Sequence, residues 1–87
     1  MTLNFPNESR SYDARRNVIR FWGYDSALEV SFLVDVRALS KPDPLAGDLE
    51  AVYLEAFDAA RDRIYDTARK VYARTRDDLC LLSAADF

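Results

Sequence analysis

Eighty-seven residues with two Gly, three Pro and one Cys form a single domain with no internal disulfide. A 49% hydrophobic and 31% charged composition is ordinary for a globular chain, and no apolar run reaches the roughly 18 residues that span a bilayer. The net charge of −3 and pI near 4.8 disfavour a general binder of the phosphate backbone.

In chain order, Leu3-Asn4-Phe5-Pro6 reads as a short edge strand ended by Pro6, which cannot donate to a ladder. Asn7–Ser11 reads as loop. Tyr12–Asn17 reads as a turn in which Asp13 bonds nearby backbone amides.

Val18–Gly23 and Ala27–Asp35 are the two main strands, with Gly23-Tyr24-Asp25-Ser26 as the turn between them. The second alternates cleanly, with Leu28, Val30, Phe32 and Val34 on one face. The expected register sets Trp22 opposite Ala27, Phe21 opposite Leu28, Arg20 opposite Glu29 and Ile19 opposite Val30.

Asp35 is expected to cap a short helical turn, Val36–Leu39. Ser40–Gly47, with Pro42 and Pro44, reads as loop. From Asp48 to Arg74 the spacing of Leu49, Val52, Tyr53, Ala56, Phe57, Ala60, Ile64, Ala68 and Val71 predicts one long helix, uninterrupted by Gly or Pro. Asp48 is its cap, with Glu50 in the first turn and Arg69, Lys70 and Arg74 near the end, which complements the helix dipole. About 26 residues make a rod of roughly 39 Å. A seven-residue strand covers about 23 Å, so the helix is expected to overrun its sheet. Asp77–Ser83 is the last strand, carrying Leu79, Leu81 and Leu82.

The fold class is therefore α+β: an antiparallel sheet of three or four strands with one long α-helix packed on one face, in the order β-β-short α-long α-β. Ile19, Phe21, Leu28, Val30, Phe32 and Val34 would meet Val52, Tyr53, Ala56, Phe57, Ala60 and Ile64 in the core.

The chemistry is bounded by what is missing. With no His, triads of the Ser-His-Asp and Cys-His kind are excluded, and one Cys cannot fill a zinc shell. No Gly-rich phosphate loop is present. Cys80 lies in an apolar run and reads as a small hydrophobe. Asp58, Asp62 and Asp66 recur every fourth residue beside Arg61, Arg63, Arg69 and Lys70, the pattern of a solvated, charge-balanced face rather than an ion site. Hence no catalytic, cofactor-binding or metal-binding residue is assigned, and the chain is expected not to be an enzyme.

Two surfaces remain. Arg20 and Trp22 project from the sheet face away from the helix, with Leu33 and Val18 nearby. That face is too apolar for open water. The expected covers are a second copy or the N-terminal segment with Phe5 and Tyr12, then an unknown protein, then a small molecule or nucleic acid. The second surface is a helix shoulder of Leu54, Tyr65 and Tyr72 beside Arg61. It either packs under this chain's own strand or loop, or serves a partner. A basic N-terminal stretch, Arg10, Arg15, Arg16 and Arg20 against Glu8 and Asp13, precedes an acidic body.

The leading expectation is a small cytoplasmic interaction or regulatory module, with no membrane association. The alternative is a small-ligand or single-strand nucleic-acid binder using Tyr12, Arg15, Arg16, Arg20 and Trp22.

The ordered set Leu3-Asn4-Phe5-Pro6, Ser11-Tyr12-Asp13, Val18-Ile19-Arg20-Phe21, Asp35 with Ala38-Leu39, Phe57 and Ile64, and Asp86-Phe87 resembles the domain of unknown function 1488 family of small bacterial proteins. The resemblance covers nearly the whole chain. It implies a single α+β domain and brings no activity or site residue with it.

Overall fold

A computed structural model describes residues 3–39 and 48–87. The loop expected at Ser40–Gly47 lies outside the described residues. Among the described residues there are five strands: β1 (Leu3–Asn4), β2 (Arg10–Asp13), β3 (Val18–Asp25), β4 (Leu28–Asp35) and β5 (Leu79–Leu82). Two helices, α1 (Leu49–Ala59) and α2 (Arg61–Thr75), lie between β4 and β5.

The sheet is mixed rather than purely antiparallel. β3 pairs antiparallel with β4 on one side, and with both β1 and β2 on the other. β5 pairs parallel to β4, matching Phe32 to Cys80 and Leu33 to Leu81. The parallel direction follows from the connection: the chain leaves the C-terminal end of β4, crosses back through both helices and re-enters the sheet toward the end where β4 begins.

β2 replaces the expected loop and turn. Arg10-Ser11-Tyr12-Asp13 has little strand character alone and is made a strand by pairing with Phe21, Arg20, Ile19 and Val18. The turn after it behaves as read: Asp13 Oδ1 accepts from the amides of Arg15 (3.0 Å) and Arg16 (3.3 Å).

The β3–β4 hairpin differs in register from the expectation. Phe21 opposes Phe32, Arg20 opposes Leu33, and Asp25 opposes Leu28, with only Ser26 and Ala27 as the loop. Ser26 takes the left-handed conformation at φ 55°. Gly23 belongs to the strand because ring packing needs its bare backbone: a Cβ there would lie 2.8 Å from Phe5 Cε1. The slip is an even number of residues, so each side chain keeps its face. Leu28 keeps the core side but sits at the hairpin end and is 53% exposed.

The long helix is two helices. At Ala60 (φ −108°, ψ 14°) the N–H is shared between the carbonyls of Ala56 and Phe57. Neither Gly nor Pro causes the break; the tightened turn redirects the chain so that α1 packs over β2 and α2 over β5. Phe57 and Ile64, on either side of the break, are both fully buried. Asp48 caps α1 by accepting from Ala51 N at 3.2 Å, and Asp35 caps the 3₁₀ turn Val36–Ala38 by accepting from Arg37 N at 2.9 Å.

The core lies between the sheet and the helices. It holds Ile19, Phe21, Val30, Phe32 and Val34 from the sheet, with Phe57, Ile64, Ala68, Val71 and Tyr72 above and Cys80 and Leu82 from β5.

Candidate functional site

The outer sheet face, opposite the helices, is the surface where this chain departs most from a closed domain. Strand alternation with the observed pairing places Ser11 and Asp13 of β2, Val18, Arg20 and Trp22 of β3, Ser31 and Leu33 of β4, and Leu79 and Leu81 of β5 on it. Leu79 and Leu81 are 51% and 66% exposed. Leu33, between Arg20 and Leu81 across the strands, is buried by these flanking neighbours rather than by a second layer.

A groove of about 550 Å³ runs across this face, lined by Ser11, Asp13, Arg16, Arg20, Ser31, Leu33, Asp78 and Leu79. Its charges are two arginines and two aspartates. The Arg20 guanidinium lies 5.2 Å from the Trp22 ring centroid, and its Nη2 donates a long bond of 3.5 Å to Ser31 Oγ. Arg16 stands 3.8 Å from Asp13. Arg20 and Asp78 share the groove, yet among the described residues neither makes an ion pair.

The N-terminal segment does not cover this face. It crosses to the helix side, where Phe5 stacks on Tyr65 with centroids 4.0 Å apart and also meets Phe21 and Phe32. Tyr12 likewise points inward, 5.4 Å from Tyr53, with its hydroxyl on Asn17 Oδ1. Tyr12 and Trp22 are therefore on opposite faces, and the Tyr12–Trp22 aromatic cluster expected for a nucleic-acid or ligand binder is not assembled. Arg15 is exposed on the β2–β3 turn; Arg16 and Arg20 reach the groove.

The helix shoulder is occupied by this chain itself. Tyr65 lies under Phe5 and accepts a 2.6 Å bond from Arg61. Tyr72 is 2% exposed and donates to Asp25 Oδ2 at 2.7 Å. That donation to a carboxylate raises the Tyr72 pKa above the ordinary phenol value. Leu54 is half-buried against the core. Asp58, read as part of a solvated stripe, instead holds Arg10 and Arg61, and the Arg10 guanidinium is the main reason its carboxyl is held below the usual range.

Ser31 lies on the outer face as the alternation of β4 implies, while Leu79, Leu81, Asp13, Asp78 and Ser11 complete it without having been assigned to it from sequence. The period-2 alternation of Leu79 and Leu81 against Cys80 and Leu82 carries the signal for the leucines. Cys80 is buried, which pushes its thiol up, and it is part of the core. Among the described residues no three His, Cys, Asp or Glu side chains gather in a way that could hold a metal ion, and no helix is long and apolar enough to cross a membrane.

The family model described as protein of unknown function (DUF1488) matches residues 3–81. The chain belongs to the DUF1488 family. No curated protein and no solved structure matches it. For this DUF1488 chain the family fixes kinship without an activity, so its outer sheet face is read on its own physical terms.

Proposed function

We propose that this DUF1488 chain is a non-catalytic protein-interaction module whose working surface is the outer sheet face. One observation carries the reading: Leu79 and Leu81 stand exposed beside Leu33 and Trp22 on a sheet face with no covering layer among the described residues. Antiparallel sheets commonly solvate one face with polar residues. This face instead presents contiguous Leu side chains next to an Arg–Trp pair, the residue types that anchor protein interfaces.

A photo-crosslinking residue placed at position 81, with position 50 on the exposed start of α1 as control, tests this in living cells. Protein adducts are expected at 81 and not at 50. Absence of any adduct at 81 would remove the reading.

A further inference from the structure

We propose that the occupant of this face is a second copy of the same chain, packed sheet against sheet about a twofold axis. This rests on the interaction reading above and names its partner. Three observations support it.

The first is charge. The groove carries Arg16 and Arg20 against Asp13 and Asp78, so its own charges cancel. A polyanion would meet the two carboxylates, and a strongly basic partner would meet the two guanidinium groups. A surface with equal numbers of both signs matches itself once turned over.

The second is the state of the individual charges. Arg20 projects from β3 and Asp78 stands just before β5, with β4 between them. Both line the groove, and among the described residues neither has an ion-pair partner. A twofold axis over β4, near Ser31 and Leu33, brings Arg20 of each copy to the partner's Asp78. That satisfies two charges per copy at once. It also pools Leu33, Leu79 and Leu81 of both copies into one apolar centre.

The third is size. Two eight-residue strands and two four-residue strands, at about 3.3 Å rise and about 4.8 Å spacing, give a footprint on the order of 380 Å² before side-chain relief is added. The smaller stable interfaces bury about 600 Å² of accessible surface per partner, so with the relief of the Arg, Trp and Leu side chains the face suits a weak, concentration-dependent dimer.

Sedimentation velocity over a wide concentration range is the test, using the full chain and two variants, Arg20→Asp and Asp78→Arg. The wild type is expected to move toward twice its 10.0 kDa mass as concentration rises. Each variant alone juxtaposes like charges across the axis and should self-associate at least tenfold more weakly. An equimolar mixture of the two restores opposite charges at both contacts and should recover a heterodimer. Circular dichroism of each variant separately establishes that both exposed substitutions leave the fold intact. A wild type that stays monomeric throughout the range overturns the proposal. So do single variants that dimerise as tightly as the wild type, and a mixture that shows no recovery. Crosslinks at position 81 to other proteins alone would likewise overturn the second copy, while leaving the interaction reading in place.

Discussion

Arg10 and Asp58 meet in a two-point contact, Nε to Oδ1 at 3.0 Å and Nη2 to Oδ2 at 2.8 Å. Arg61 approaches the same carboxylate at 2.6 Å and donates to the Glu8 carbonyl at 3.1 Å. This cluster ties the start of β2 to the end of α1, holding the N-terminal segment over the helices. The ions are partly exposed, so the net stabilisation is modest, about 0.5–1 kcal/mol for Asp58→Ala. Because the folded Asp58 pKa is lowered, its contribution is present above the unfolded carboxylate value and is lost as pH falls through the folded value. Urea titrations of wild type and Asp58→Ala should therefore differ at pH 7 and converge in acid. Amides of residues 4–10 should exchange faster in the variant.

Tyr72 works in the opposite direction. Its folded pKa is raised by donation to Asp25, so its contribution is present below the unfolded phenol value of about 10 and lost as pH rises through the folded value. Tyr72→Phe removes the bond at neutral pH and leaves Asp25 without that donor. A loss of stability is expected at neutral pH, and it should shrink in alkaline melts.

Gly23→Ala is expected to destabilise by about 1–3 kcal/mol through overpacking. The added Cβ meets Phe5 Cε1 at 2.8 Å and Leu3 Cδ1 at 3.1 Å, and the Phe5 ring cannot retreat because it is stacked on Tyr65. Phe5→Leu in the Gly23→Ala background should cost less than Phe5→Leu alone. A thermal double-mutant cycle measures this coupling.

Adjacent leucines of β5 should behave in opposite ways. Leu82, 1% exposed, faces the core, and Leu82→Ala should cost about 2–4 kcal/mol. Leu81, 66% exposed, faces outward, and Leu81→Ala should leave monomer stability within about 0.5 kcal/mol. Denaturation at the lowest workable protein concentration checks both.

Cys80 should react slowly with a thiol reagent in the folded protein and at the free-cysteine rate in urea. Its side chain is 3% exposed, and burial raises its pKa and suppresses the reactive thiolate.

Much of this architecture is legible in the residues, and the failures have identifiable causes. The alternation of β4 and the caps at Asp35 and Asp48 are local signals and appear as read. β2 is not local: Arg10–Asp13 becomes a strand only against β3. Gly23 resembles a turn residue because a strand glycine is explained only by the distant Phe5 ring. The break at Ala60 has no Gly or Pro to announce it and follows from the two packing partners that α1 and α2 must meet. The outer face was half visible through Arg20, Trp22 and Leu33. Its other half depends on β5 lying parallel beside β4, which no short-range pattern encodes.

The parallel pairing of β4 with β5 also has a kinetic meaning. The β3–β4 hairpin, closed by two residues, can form early and alone, but Phe32 and Cys80 meet only after both helices have been placed between them. Until that late step, Phe32 and Val34 lack their β5 neighbour and the edge of β4 is open. In that order of events the last closure of the sheet sets how long the β4 edge stays open during folding, and even outward-facing substitutions in β5 that spare the folded molecule should slow maturation and promote aggregation.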